Sequence, residues 1–258
     1  MLTDDQASAI ADALRAAERD RAPIAPLTTT YPDITPADAY EIQLRNIRRR
    51  TAPVVGHKIG LTSAAMQAMM GVNEPDYGHL LADMRVDGDA DASRYCYPRV
   101  EVEVAFVLGS DLPGLACTED DVLTATEAVM PAIELIDSRI TDWKIGLADT
   151  IADNASSAGF VLGESRVKPS EIDLLGIEAV LWRNGEEVAR GRSDAVLGNP
   201  ATAVAWLARS VARFGVRLRA GHVVLPGAMD RAVDARPGDA FRADFAGLGR
   251  VGLTFITS

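Results

Sequence analysis

Three glutamates and one lysine carry the first chemical signal in the chain. In Pro98-Arg99-Val100-Glu101-Val102-Glu103-Val104-Ala105-Phe106-Val107-Leu108, two glutamates stand two positions apart inside an otherwise apolar run. On a strand, residues two apart share a face, so Glu101 and Glu103 project together while Val100, Val102 and Val104 face the other way. A second apolar run, Pro131-Ala132-Ile133-Glu134-Leu135-Ile136-Asp137, carries Glu134 where an unpaired charge is costly. Three carboxylates from two strands suit a hard cation such as Mg2+ or Mn2+, with coordination positions left for water and substrate oxygens. A solvated edge-strand face accounts for Glu-Val-Glu as well, and spacing alone leaves both readings open.

In Gly56-His57-Lys58-Ile59-Gly60, strand alternation sets Lys58 on one face between two residues without side chains. Such a lysine can bind a carboxylate or, once desolvated, move protons; it can equally be a snorkelling surface lysine. Asp76, within Asn73-Glu74-Pro75-Asp76-Tyr77-Gly78-His79, sits in a stretch that reads as a turn-forming loop, where Asp is expected for local hydrogen bonding alone. The polar stretch Asp149–Gly159, which contains Ser156, has enough donors ahead of a strand to line a carboxylate or oxyanion pocket. His57, His79 and His222 are scattered without metal-ligand spacing and read as structural, with His79 nearest to reaching the site.

These residues need elements to position them. Thr3-Asp4-Asp5-Gln6 ahead of an Ala-rich amphipathic stretch predicts a helix to about Arg19, and Ala22–Pro36 reads as a connector. Thr35-Pro36-Ala37-Asp38 predicts a second helix running toward Arg50. Val54–Leu61 is β-branched and glycine-interrupted, as a strand would be; Thr62-Ser63 then cap a short Met-rich helix through Met70, and Gly71–Asp83 is a loop. Further strands are expected at Val100–Leu108, Ala132–Asp137, Gly159–Leu162, Glu178–Trp182, Val223–Leu225, Ala240–Phe245 and Val251–Ile256, with one helix at Ala201–Phe214. Strands and helices do not alternate regularly, which argues against a doubly wound sheet. The expected class is α+β: a mixed β-roll or distorted barrel over residues 54–258, preceded by a helical portion over residues 1–53. No internal repeat, Gly-x-Gly-x-x-Gly or P-loop sequence occurs.

The 258 residues are 48% hydrophobic and 24% charged, an ordinary globular balance. A net charge of −11 disfavours nucleic acid and anionic membrane surfaces as partners. Two cysteines, Cys96 and Cys117, are too few for a disulfide framework. No basic leader precedes an apolar segment, and no run approaches the roughly 20 apolar residues that span a bilayer. A reduced, cytoplasmic setting without membrane contact is therefore expected.

Taken together, Gly56-His57-Lys58-Ile59-Gly60-Leu61-Thr62-Ser63, Glu74-Pro75-Asp76-Tyr77-Gly78, Pro98-Arg99-Val100-Glu101-Val102-Glu103, Glu134-Leu135-Ile136-Asp137-Ser138-Arg139, Ala152-Asp153-Asn154-Ala155-Ser156-Ser157 and Leu197-Gly198-Asn199-Pro200 form a pattern covering nearly the whole chain. It resembles the 2-keto-4-pentenoate hydratases of the fumarylacetoacetate hydrolase superfamily. The resemblance implies a β-roll core and an Mg2+ or Mn2+ site at Glu101, Glu103 and Glu134, with Lys58 and Asp76 at acid/base positions and Ser156 at a substrate-contacting position. It further implies hydration of 2-hydroxypenta-2,4-dienoate, or the homologous hexadienoate, to a 4-hydroxy-2-oxo acid in meta-cleavage catabolism of aromatic or steroid rings. A homo-oligomer, associated with neighbouring pathway enzymes, would follow. 4-Oxalocrotonate decarboxylase is the nearest rival, and a non-enzymatic small-acid binding or scaffold protein the outside one. A hydrolase of acylpyruvates fits less well, since the chain has no lid segment bearing a His and Glu pair.

Overall fold

The structure, a computed structural model, describes residues 1–63, 66–68 and 71–257. At the N-terminus, α1 (Asp4–Asp20) begins where the Thr3 hydroxyl accepts from Gln6 N, and its apolar stripe buries Ala7, Ile10, Ala11, Leu14 and Ala17. A short α2 (Leu27–Thr30) leads to α3 (Pro36–Arg48), which Thr35 and Asp38 start by reciprocal capping. Both predicted helices are thus present. Their apolar faces form a cluster of their own with Ile140, Ala148 and Ile151.

β1 (Val54–Gly60) pairs antiparallel with β2 (Asp76–Leu81). The loop expected over Gly71–Asp83 is therefore corrected, because Asp76–Leu81 is a fully buried strand. Pro75 and Gly78 read as turn punctuation, yet Tyr77 stacks on Tyr40 at 4.4 Å between ring centroids and ties the segment into the core. Of the Met-rich helix, Ser63 does cap, its Oγ accepting from Met66 N at 3.2 Å, while residues 64, 65, 69 and 70 lie outside the described residues.

A short β3 (Asp89–Asp91) precedes β4 (Arg99–Leu108); α4 (Glu119–Ala125) follows, then β5 (Thr126–Ile136), α5 (Leu147–Ala152) and β6 (Ser157–Leu162). The hairpin β7 (Glu178–Arg183) and β8 (Glu186–Arg192) leads through α6 (Pro200–Ala212) to β9 (Val223–Leu225), β10 (Val233–Asp234), β11 (Ala240–Phe245) and β12 (Gly249–Ile256). One sheet has the order β2-β1-β9-β4-β5-β6, with β10 also on β4; the second has the order β3-β12-β11-β7-β8. β8, α4 and α5 had no counterpart in the expected elements. Glu186-Glu187-Val188-Ala189-Arg190-Gly191-Arg192 is an edge strand with one wet face, so its residues lack an apolar run.

The first sheet curls until its end strands β2 and β6 approach each other, and Val86 N donates to Phe160 O at 2.9 Å across the seam. Its outer face carries Val100, Val102, Val104, Phe106, Ile133, Leu135 and Val224 into the main core, which the second sheet and α6 complete. Its inner face carries a separate apolar cluster, Leu80, Ala105, Val107, Met130, Ala132, Phe160, Val223 and Leu225. The glutamates share that inner face, because alternation continues Glu101 and Glu103 into Ala105 and Val107, and Glu134 into Ala132 and Met130. The inside of the curl is apolar at one end and ionisable at the other.

Candidate active site and metal centre

Glu101 and Glu134 stand directly opposite one another in the β4–β5 register, with Glu103 one pleat further along. One carboxylate oxygen from each lies within 4.8 Å of the other two, and no other set of three His, Cys, Asp or Glu gathers this closely among the described residues. Glu103 and Glu134 are fully buried, and Glu103 Oε1 and both Glu134 oxygens have no hydrogen-bond partner. Burial pushes all three acids up, Glu101 to about 7 and Glu103 well above the usual carboxylate range. Mutual repulsion adds to the shifts at Glu101 and Glu103, and Lys58 opposes them at every member. Buried carboxylate oxygens, short of hydrogen-bond donors and converging on one point, are the donor set of a hard divalent cation, and these residues fit one.

Lys58 reaches the same point from β1. Its Nζ donates to the Ala155 carbonyl at 3.0 Å and lies 3.4 Å from Glu134 Oε2. Burial pulls its pKa down, but Glu134, Glu101, Asp76 and Glu103 outweigh that and hold it above its ordinary value. Asp76 opens β2 opposite Gly60, its Oδ1 is unpartnered, and its Oδ2 accepts from Thr150 Oγ1 at 3.3 Å. Burial raises the Asp76 carboxyl above its ordinary range, with Lys58 opposing. A side chain on Gly60 would set Cβ 2.2 Å from Asp76 Oδ1 and 3.6 Å from Lys58 Nζ, so the missing side chain is what lets the two functional groups share this space.

Ser156 is buried, with its Oγ 3.4 Å from Thr150 Oγ1, so a hydroxyl chain runs from Asp76 through Thr150 to Ser156. Every site residue read from the sequence therefore stands in one neighbourhood. Thr150 and Ala155 lie in the polar stretch Asp149–Gly159 but were not singled out within it, and the Gly227 amide was missed; the amide donates to Glu103 Oε2 at 2.8 Å. Gly227 has φ +130°, and a Cβ there would meet Thr62 Oγ1 at 2.2 Å, so only glycine brings this N–H to the carboxylate. Pro226-Gly227 signals a turn in sequence, while nothing local marks Thr150.

The turn that supplies the Ala155 carbonyl is strained. Asn154, Ala155 and Ser156 are consecutive left-handed residues, with φ of 56°, 49° and 56°, a conformation costing L-residues about 1 kcal/mol or more each. Asn154 is held by its side chain, which accepts from His79 N at 2.8 Å and donates to His79 O at 3.0 Å. The histidines require a correction. Far apart in the chain, they assemble on the outer face of the sheet, with His57 ring centroids 4.6 Å from His79 and 6.1 Å from His222. β1 alternation turns His57 away from Lys58, so His79 contributes its backbone, not its ring, to the neighbourhood of the site.

A curled mixed sheet with a second sheet on its outer face, and a carboxylate cluster within, defines a class. The family model for the fumarylacetoacetate (FAA) hydrolase C-terminal region matches residues 82–256, and the chain belongs to this family. Within it, the chain is 45% identical over 260 residues to a 2-keto-4-pentenoate hydratase of Paraburkholderia xenovorans (strain LB400), covering 98% of this chain and 96% of that protein. It is 41% identical over 259 residues to a 2-hydroxyhexa-2,4-dienoate hydratase of Comamonas testosteroni, covering 98% and 97%. A solved structure of 4-oxalocrotonate decarboxylase from Pseudomonas putida G7, complexed with magnesium and adipate, superposes with a TM-score of 0.95 at 38% identity, covering 99% of each chain. No helix among the described residues is long and apolar enough to cross a membrane, and both cysteines are free thiols.

Proposed function

We propose that this chain is a divalent-cation-dependent hydratase that adds water to 2-hydroxypenta-2,4-dienoate, or to its hexadienoate homologue, giving a 4-hydroxy-2-oxo acid in meta-cleavage catabolism. The observation that carries this reading is the convergence of Glu101, Glu103 and Glu134 with Lys58 and Asp76 on one inner sheet face, in a chain whose hydratase relatives match it end to end. Glu101, Glu103 and Glu134 are the ligands in this reading, and Mg2+ and Mn2+ are the candidate ions. The cation would supply Lewis-acid polarisation of the substrate's 2-oxo group.

The chain's own residues manage the protons. Ketonisation removes the proton from the 2-hydroxyl and adds one at C5; water then bonds to C4 while a proton is added at C3, so the net change is one water. Asp76, whose carboxyl burial raises above its ordinary range, suits proton transfer, and the Lys58 ammonium suits stabilising the negative charge that develops on the 2-oxygen before a proton is added at carbon. Ser156, next to Thr150 and Asp76, is assigned to substrate binding. The division into a helical portion at 1–53 and a catalytic portion at 54–258 rests on the change of character after Pro53, and the two portions share an apolar cluster in which α1 and α3 pack on Ile140, Ala148 and Ile151. The family resemblance supports a homo-oligomer and association with pathway enzymes, which light scattering and co-purification would test.

Purified protein should convert the dienoate to 4-hydroxy-2-oxopentanoate, followed by loss of dienol absorbance and by product NMR, in the presence of Mg2+ or Mn2+ and not after chelation. Binding of the cation without any turnover of either dienoate would sink this reading in favour of a small-acid binding or scaffold role. The close superposition on a decarboxylase favours a second reading, 4-oxalocrotonate decarboxylation. Release of CO2 from 4-oxalocrotonate, without hydration of the dienoates, would select it.

A further inference from the structure

We propose that Arg139 is a positioning residue that clamps the left-handed turn at 154–156 and through it holds the Lys58 ammonium against the carboxylate cluster. This rests on the reading above only in that Lys58 is taken as a proton-transfer group.

Arg139 is 5% exposed and lies just past β5, where it touches neither Lys58 nor any of the glutamates through a hydrogen bond. Its donors all go to the two ends of the turn. Nε donates to Asp153 Oδ1 at 2.5 Å and Nη2 to Asp153 O at 2.6 Å, while Nη2 also reaches Ser157 O at 3.5 Å. The Arg139 backbone N–H donates to Asp153 Oδ2 at 2.9 Å, so the Asp153 carboxylate is held by both the main chain and the side chain of one residue. Between those two anchored ends are the three left-handed residues, and the middle one offers its carbonyl to Lys58 Nζ at 3.0 Å. One further tie, Asp137 N to Ser156 O at 2.8 Å, closes the turn against β5.

Left-handed conformations at Ala155 and Ser156 persist only where the surroundings over-determine them. The planar fork of a guanidinium is suited to this task, because it can bind a carboxylate and two carbonyls at once along fixed directions. A lysine has the charge but not the fork. It would keep the ion pair with Asp153 and release one end of the turn. The Ala155 carbonyl would then drift, and with it the lysine ammonium that donates to that carbonyl at 3.0 Å. A cavity of about 110 Å3 borders Arg139, Asp153, Asn154 and Ser157, which leaves room for a small cation to reach the same place from solvent.

The test compares wild type with Arg139→Ala and Arg139→Lys, after circular dichroism and unfolding curves have established that each is folded. Four quantities are read: kcat, KM, Mn2+ affinity by EPR titration, and the acetylation rate of Lys58 by mass spectrometry. The chain has three lysines, so Lys144 and Lys168 serve as internal references for the last. We expect Arg139→Ala to lose kcat by about 30-fold with KM and Mn2+ affinity little changed, and millimolar guanidinium to restore part of it. Arg139→Lys should fall between, and Lys58 acetylation should quicken several-fold in both. Unchanged kcat, unchanged Lys58 acetylation, no guanidinium rescue, or failure of both variants to fold would each overturn the proposal. If wild type itself turns over neither dienoate, the hydratase reading fails, and the clamp is still judged by Lys58 acetylation.

Discussion

Single side chains decide the chemistry here because the fold gives them so little water. Glu103 loses its negative charge but keeps its shape in Glu103→Gln, and we expect cation affinity to fall by about 100-fold or more, with cation-dependent turnover abolished. Isothermal titration with Mn2+ checks this, and an unchanged isotherm would remove Glu103 from the ligand set. Lys58→Ala should separate binding from proton transfer, lowering kcat by about 100-fold while the cation still binds. Gly60→Ala tests the shared space between Asp76 and Lys58: the added methyl displaces the Asp76 carboxyl, so kcat drops by about tenfold or more while the melting temperature changes less. Wild-type kinetics in Gly60→Ala would mean that the Asp76 position is not needed.

Strands were legible in the sequence to the degree that they bury a face. β4 announced itself because Val100, Val102 and Val104 fill the core while Glu101 and Glu103 break the other face, so periodicity gave both the element and its chemical side. β2 was read as a loop because Pro75 and Gly78 have turn chemistry, and its strand character comes from the antiparallel ladder with β1, reinforced by contacts of Tyr77 with Tyr40 and of His79 with Asn154. The gathering of Lys58 with Glu134 could not be read from spacing, since β1 meets β4 only through β9, which arrives much later in the chain. The same order of strands gathers the histidines. Burial holds the His79 pKa down to about 4, so between roughly pH 6.5 and 4 the unfolded chain binds a proton that the folded protein refuses. This contribution is fully present above pH 6.5 and is lost as the pH falls, by about 2 kcal/mol between pH 7 and pH 5. The buried acids, with raised pKa values, act in the opposite direction, so the effect is read by difference. Denaturant unfolding of wild type and His79→Phe at both pH values should show the variant losing less on acidification, and parallel losses would count against this account.

At the scale of the molecule, the curled sheet separates two tasks by face. The outer face supplies most of the apolar burial, and the inner face keeps its charges at one end of a smaller apolar cluster. Composition and the run of motifs made the α+β roll legible; the seam between β2 and β6, which turns a sheet into a curl, depends on backbone contacts at Val86 and Phe160 that no local pattern announces. A cation bound to the folded state alone should raise Tm by about 5–10 °C at a hundredfold excess over its Kd, and chelation should reverse the shift. Differential scanning calorimetry with Mg2+, Mn2+ and EDTA checks this; a Tm independent of all three would argue that the carboxylates do not meet a cation.

The direct opposition of Glu101 and Glu134 has a bearing on how the chain reaches its native state. β4 and β5 are sequential strands joined through residues 109–125, which include α4, and their pairing sets two acids face to face, with Lys58 reaching that rung from the other side of β9. Repulsion at this rung should slow completion of the β4–β5 pairing until positive charge is delivered. A divalent ion present during refolding would then act as an accelerant, quickening folding as well as slowing unfolding, and its late withdrawal would leave a protein that opens first at the Glu101–Glu134 rung.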